Sequence, residues 1–316
     1  VRFLLNRLYN WQGRITQIRQ GQAMTETKNS TARLGLLGYG EAGQAMAESL
    51  AARTGQPVTV YDRREIAAGA GAMHCADMAG LAASAEMIFS LVTADQSSAA
   101  AEALAPHLTD QHIVLDGNSV SPGTKKHNAG LLAPSRACYV DLAIMAPILP
   151  RGHRTPMLIA GPQQGRVAAM LEGLDFAFSW VDSEIGKASI VKMLRSILIK
   201  GAESIITEAV SAAEGLGIGD EILASAGKTL GIADLAGLAD YMMERAALHG
   251  RRRAAEMREV AKTLEELGLS NIMASAIARH QDMIADMDLP ASFADKAPPA
   301  DRKILAPLIA SRQKTG

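Results

Sequence analysis

The sequence predicts a doubly wound α/β domain built on a parallel sheet, followed by an all-α domain, and three observations carry that reading. From Thr31 to about Asp182 short apolar runs alternate with alanine-rich helical patterns, the alternation that builds parallel sheets. A turn punctuated by glycines, Gly38-Tyr39-Gly40-Glu41-Ala42-Gly43, joins the first apolar run to the first helix. At Gly186 the alternation stops, and helical periodicity continues to about Met287.

Taken in order, residues 1–23 stand apart. Arg2, Arg7, Arg14 and Arg19 meet no acid, and Leu4, Leu8, Trp11, Ile15 and Ile18 recur at helical spacing, a pattern shared by membrane-surface helices and targeting segments. Met24-Thr25-Glu26-Thr27 reads as a natural start, so 1–30 is expected to be an extension from an over-long reading frame. Residues 33–37 read as a strand, 42–53 as a helix and 58–61 as the next strand, ending at Asp62. Further strands are expected at 87–91, 113–116, 139–144, 157–160 and 176–181, with helices at 96–105, 122–133 and 163–174. The resulting α/β domain spans 31–183. A helical substrate or dimerisation domain follows over 184–288, with breaks at 215–219 and near Gly250 and Gly268. A linker over 289–300 and a short terminal helix over 303–312 close the chain.

Composition excludes several classes. A formal net charge of -1 leaves no bulk electrostatic footprint for nucleic acid. Cys75 and Cys138 have neither metal-ligand spacing nor a disulfide framework, and no apolar run approaches the roughly 20 residues of a membrane span. A soluble, cytoplasmic protein with no metal, no nucleic-acid partner and no membrane partner is the expectation.

The glycine turn has the layout that a dinucleotide pyrophosphate needs. Gly38 makes the tight turn, Gly40 lets the backbone approach the phosphates, and Gly43 lets the helix pack on the strand. The helix start at Glu41 and Ala42 then offers free N–H groups to the anion. Asp62, about 20 residues further on, suits a ribose 2′-hydroxyl, whereas Arg63 and Arg64 could neutralise a 2′-phosphate; the balance favours NAD over NADP. Ligands of such sheets bind outside the carboxyl ends of the strands. The loops Leu91-Val92-Thr93, Asp116-Gly117-Asn118-Ser119 and Ala143-Ile144-Met145 are therefore where chemistry is expected.

Along the helix that starts after Gly186, Ile190, Val191, Leu194, Ile197, Leu198, Gly201 and Ile205 form an apolar stripe. Lys192, Ser196, Ile199 and Glu203 share the opposite face. A lysine there can act as general acid when a carbonyl is reduced and as general base when a hydroxyl is oxidised. Taken alone, however, most helix lysines are solvated.

These stretches resemble the β-hydroxyacid dehydrogenases, relatives of 6-phosphogluconate dehydrogenase. Gly35–Leu50 is similar to that family's cofactor fingerprint. Asp116-Gly117-Asn118-Ser119-Val120-Ser121-Pro122 is similar to its Asp-x-Ser-Thr-x-x-Pro loop, which puts Ser119 beside the cofactor. Gly186 to Ser196 resembles its Gly-x-x-x-x-x-Lys-x-x-Asn-Asn motif, which puts the catalytic lysine on Lys192 and a substrate-orienting role on Ser196. The resemblance covers 33 to about 288. It implies a Rossmann domain, an NAD(P) cofactor, a small hydroxy acid, aldehyde or ketone as substrate, and a homodimer or higher homo-oligomer.

The departures lie at the substrate loop. The family's Asp-Ala-Pro-Val-Ser-Gly-Gly is here Asp141-Leu142-Ala143-Ile144-Met145-Ala146-Pro147, without the serine or the paired glycines, and Ile144 and Met145 suggest a larger or more apolar substrate. The family's later Lys-Asp pair falls on Ala255-Glu256. One of Arg251, Arg252 and Arg253, or His153 with Arg154, is the candidate to clamp a substrate carboxylate or a cofactor phosphate. A non-catalytic cofactor-binding scaffold, an imine reductase and a decarboxylating sugar-acid dehydrogenase are the alternatives.

Overall fold

The computed structural model of the chain describes residues 32–64, 69 and 71–313, and the extension at 1–30 lies outside them. These residues divide into two compact units, with the boundary between Met193 and Leu194.

The first unit is a single eight-stranded sheet. Its elements are β1 (Leu34–Leu37), α1 (Glu41–Thr54), β2 (Val58–Tyr61), β3 (Ala72–His74), α2 (Met78–Ser84), β4 (Met87–Ser90), α3 (Ser97–Leu104), β5 (Ile113–Asp116), α4 (Pro122–Leu132), β6 (Cys138–Ile144), β7 (Met157–Ala160), α5 (Gln164–Gly173) and β8 (Phe178–Asp182). The strand order is β3-β2-β1-β4-β5-β6-β7-β8, so the chain winds outward from β1 in both directions. Strands that are covered on both faces need no polar alternation. In β1, Leu36 packs with Met46, Leu50, Val60 and Phe89 on one side of the sheet, while Leu37 packs with Leu81, Ile88, Leu104 and Val114 on the other.

The first six strands are parallel, as expected, but β7 runs antiparallel to β6. The connection at 145–156 holds only a single 3₁₀ turn, Gly152–Arg154, and a parallel crossover needs a dozen or more residues, usually helical. Two short elements went unread in the sequence. β3 is an edge strand with Met73 and His74 exposed, and α2 starts at Asp77, whose carboxylate accepts from the Gly80 N–H at 2.7 Å.

The long helix α6 (Lys187–Gly215) crosses the boundary between the units. The second unit continues with α7 (Gly219–Leu230), α8 (Leu235–Glu266), α9 (Ile272–Asp286) and α10 (Arg302–Gln313). Among its buried core residues are Val210, Leu223, Met243, Ile284, Leu305 and Ile309. α8 runs unbroken through Gly250, where a break was expected. A Cβ there would lie 2.8 Å from the Gln281 carbonyl oxygen, so this glycine serves close packing of α8 on α9. Leu289, in the stretch read as a linker, is a core residue of the unit. Arg302 fastens α10 through ion pairs at 3.1 Å to both Glu214 and Asp240.

The face of α6 that is buried is the polar one. Leu198 and Ile205 of the apolar stripe are 74% and 60% exposed, and Val191 and Leu194 are exposed too. Glu203, Ser204, Thr207 and Ser211 are buried. Ion pairs make that tenable: Glu203 pairs with Arg253, and Lys200 with Glu256 at 2.7 Å. Among the described residues, no single helix is long and apolar enough to cross a membrane.

His280 on α9 has both ring nitrogens buried without a hydrogen-bond partner. Burial pushes its pKa below the ordinary histidine value, against a smaller opposing pull from Glu208. A folded-state pKa below the unfolded one means that stability is full above the unfolded value, about 6.5, and is lost as pH falls toward the folded value. His280→Leu should therefore raise stability at pH 7 by about 1 kcal/mol and flatten its decline between about pH 7 and 5, read by urea denaturation across that range. An unchanged pH slope would show that His280 does not carry the effect.

Candidate functional site

The glycine turn shows three distinct requirements. Gly38 has φ +96, and a Cβ on it would sit 2.6 Å from the Leu91 carbonyl oxygen; one on Gly43 would sit 2.2 Å from the Gly38 carbonyl oxygen. Gly40 differs, because the nearest atom to its Cβ position, Arg64 Nη2, is 4.0 Å away. The space over Gly40 is therefore open. Gly40 is also the N-cap of α1, and it gives no side-chain cap to the first N–H groups of the helix, those of Glu41, Ala42 and Gly43. Open space over a glycine beside uncapped helix donors fits a dinucleotide pyrophosphate.

Tyr39 contributes its backbone only. Its ring is buried edge-on to His74 with centroids 5.2 Å apart, while its N–H donates to Asp62 Oδ2 at 2.8 Å. Asp62 stands just past the end of β2 and also accepts from the Arg64 N–H at 2.9 Å and from Arg64 Nε at 3.2 Å. Burial pushes its carboxyl up, but the Arg64 guanidinium and the two backbone N–H groups outweigh burial and hold it below the usual carboxylate range. Arg63 Nη1 donates to Gln96 Oε1 at 2.9 Å.

After β4, the Leu91 N–H bonds the Leu37 carbonyl at 2.8 Å and the Val92 N–H bonds Asn118 Oδ1, also at 2.8 Å. Asn118 is buried and its amide is spent inward: Nδ2 donates to Ser90 Oγ at 3.0 Å and to Ser97 Oγ at 3.2 Å. It holds two strand-end loops together, tying the loop after β5 to the one after β4. Ser119, the next residue, accepts from Lys192 Nζ at 2.7 Å. The two residues that the sequence motifs singled out, 73 positions apart, are thus in direct contact.

Beneath that contact lies a buried polar network that the sequence reading missed. Lys125 on α4 is fully buried; it donates to the Asp116 carbonyl oxygen and to Asp116 Oδ1 at 3.0 Å, and it forms an ion pair with Asp141 Oδ1 at 3.5 Å. Asp116 also accepts from the Asn118 N–H at 2.9 Å, Tyr139 Oη at 2.6 Å and Asn128 Nδ2 at 3.2 Å. Burial, then the neighbouring carboxylate of Asp116, pushes the Tyr139 phenol well above its ordinary pKa, so it serves as a donor. Asp141 accepts from the Gly186 N–H at 3.1 Å, the Ser189 N–H at 3.0 Å and Ser189 Oγ at 2.6 Å, and so caps the start of α6. The available signal was two acids ending or interrupting adjacent apolar strands, with a lysine nine positions after the first.

The other candidates have partners of their own. His153 is buried, with Nδ1 2.6 Å from Ser49 Oγ on α1 and its ring edge-on to Phe176. Arg154 pairs with Asp175 at 2.7 Å. His153 thus joins the β6–β7 connection to α1 and the core, and Arg154 makes an ion pair with its guanidinium largely exposed. Ile144 packs against the main core and Met145 against Leu158, Ala160 and Ala188. In the second unit Ser196 Oγ accepts from Lys200 Nζ at 3.3 Å. The three arginines are paired: Arg251 with Asp282 and Asp286, Arg252 with Glu256, and Arg253 with Glu203. No group of three or more metal-ligating side chains occurs among the described residues.

Comparison with known proteins agrees with this geometry. Residues 33–147 match the NAD binding domain of 6-phosphogluconate dehydrogenase, and residues 213–284 match a domain of unknown function (DUF1932). A conserved hypothetical protein from Sinorhizobium meliloti 1021 is 33% identical, with 92% of this chain and 100% of that one covered and a TM-score of 0.71. The conserved protein MTH1747, described as structurally similar to 3-hydroxyacid dehydrogenases, is 27% identical over 80% of this chain and 97% of its own, with a TM-score of 0.64. The Mycobacterium tuberculosis 3-hydroxyisobutyrate dehydrogenase shares the fold alone, at 14% identity, 89% and 99% coverage and a TM-score of 0.66. The chain belongs to the family of the Sinorhizobium protein, within the 3-hydroxyacid/6-phosphogluconate dehydrogenase-like superfamily of NAD(P)-binding proteins with a C-terminal helical domain.

Proposed function

We propose that this protein is an NAD(P)-dependent oxidoreductase acting on a β-hydroxy acid or a related hydroxy or carbonyl compound, with Lys192 as general acid and base. The observation that carries the reading is the 2.7 Å hydrogen bond from Lys192 Nζ to Ser119 Oγ, in a loop at the carboxyl end of β5. The turn at Gly38, Gly40 and Gly43 and the N–H groups of Glu41 and Ala42 would hold the pyrophosphate. Leu91, Val92 and Ser119 would line the nicotinamide side. Asp62, kept ionised by Arg64, favours the ribose 2′-hydroxyl of NAD. When bound, the cofactor supplies or accepts the hydride. Lys192 Nζ gives a proton to the substrate oxygen on reduction and takes one from the hydroxyl on oxidation, and Ser119 holds the ammonium in line between turnovers. Ser196 is assigned to substrate orientation. The exposed stripe of Val191, Leu194, Leu198 and Ile205 supports a homodimer through α6, since a second copy would cover it.

Lys192→Ala should lower kcat by about 10²–10⁴ and leave the dissociation constant for NADH within about twofold, measured by turnover and fluorescence titration. Turnover at the wild-type rate would remove Lys192 from the chemistry, and absence of turnover in the parent over a broad panel of hydroxy acids, aldehydes and imines would favour the scaffold reading.

The glycines separate binding from folding. Gly43→Ala should destabilise the first unit by about 1–3 kcal/mol through its contact with the Gly38 carbonyl. Gly40→Ala should leave stability within about 0.5 kcal/mol, because its Cβ meets open space, yet weaken NADH binding about tenfold or more. Full cofactor affinity in the Gly40 variant would place the pyrophosphate elsewhere.

A further inference from the structure

We infer that Lys125 is a positioning residue for the Lys192–Ser119 pair, an inference that rests on the oxidoreductase reading for its catalytic meaning but not for its test. Lys125 touches no substrate or cofactor, being wholly buried. Its ammonium donates to the Asp116 carbonyl oxygen and to Asp116 Oδ1, and forms an ion pair with Asp141 Oδ1 at 3.5 Å.

Asp116 and Asp141 are register partners on the adjacent parallel strands β5 and β6, so their carboxylates are held side by side inside the protein. Like charges that close cannot both stay ionised unless a cation joins them. The ionised pair is what the rest of the network uses. Asp116 fixes the Asn118 N–H, one residue before Ser119. Asp141 fixes Gly186 and Ser189, the latter less than one helical turn before Lys192. One ammonium therefore ties the loop that carries the acceptor of the 2.7 Å bond to the helix end that carries its donor. Remove it, and the two neighbouring carboxylates repel each other with no cation between them, so one turns away and gives up N–H partners at one end or the other. The Lys192–Ser119 contact then opens, and Lys192 becomes freer to solvent.

The test reads Lys192 directly. The full chain and three variants, Lys125→Met, Ser189→Ala and Thr155→Val, are labelled with trinitrobenzenesulfonate at mildly alkaline pH, and the rate at each lysine is followed by peptide mass spectrometry. The exposed Lys228 and Lys296 serve as internal references. Thr155 is a buried hydroxyl bonded to the Ile148 carbonyl at 3.1 Å, outside the network, and controls for loss of stability alone. Lys125→Met and Ser189→Ala should each speed Lys192 labelling by about threefold or more with the references unchanged, and Thr155→Val should leave it at the parent rate. Ser189→Ala breaks the same chain from the α6 end, so it decides the matter if Lys125→Met does not fold. Labelling of Lys192 within about 1.5-fold of the parent in the folded network variants, or an equal rise in Thr155→Val, overturns the inference. Failure of the oxidoreductase reading shows separately, as turnover that survives Lys192→Ala.

Discussion

Two carboxylates lie next to each other on neighbouring strands with almost no access to water, and the ammonium of Lys125 pairs with both. Ion pairs of this kind add little to stability over an apolar core of the same shape, because desolvation offsets their attraction. Breaking one is another matter, since the abandoned charge stays buried; removal of a partner costs about 3–5 kcal/mol. The network is therefore better understood as a specification than as a source of stability. Its hydrogen bonds fix the loop after β5, the start of α6 and the phenol of Tyr139 at once, and every acceptor in it is matched to a named donor.

The glycine turn shows the same economy of position. Gly38 and Gly43 are required by protein atoms that a methyl group would strike, whereas no such atom lies over Gly40 among the described residues. Open space alone is common, since Gly130, Gly165 and Gly215 have it too; what distinguishes Gly40 is its place at the head of α1, between two glycines that are sterically required.

What could be read in the sequence follows from where the constraint lies. Backbone demands are written plainly: the glycines, the buried strands and Asp77 or Ser121 at helix starts are local in sequence. The Ser119 and Lys192 pairing was also legible, because each sits in a motif of its own. Lys125 was not, since beside Lys126 and His127 on a short helix it reads as solvated, and its two partners arrive from different strands. The face of α6 was likewise reversed. Its apolar stripe is regular enough to suggest a core, but Glu203, Ser204 and Thr207 are the buried set, and Arg253 and Glu256, about 50 residues on, neutralise the charged groups of that face. The reversal of β7 turned on a connection with too few helical residues for a crossover, and the partners of His153, Ser49 and Phe176, come from distant parts of the chain that no local pattern brings together.

The altered loop after β6 can now be divided by function. Asp141, which falls on the aspartate of the resembled family motif, is the residue that caps α6 and pairs with Lys125. The positions that differ begin after it: Leu142 and Ala143 are buried sheet residues, and Ile144 and Met145 are half-buried at the strand end. One strand end thus does two things: its buried acid holds the first turn of α6, and the apolar residues that follow close over the sheet, Ile144 against the main core and Met145 against Leu158, Ala160 and Ala188.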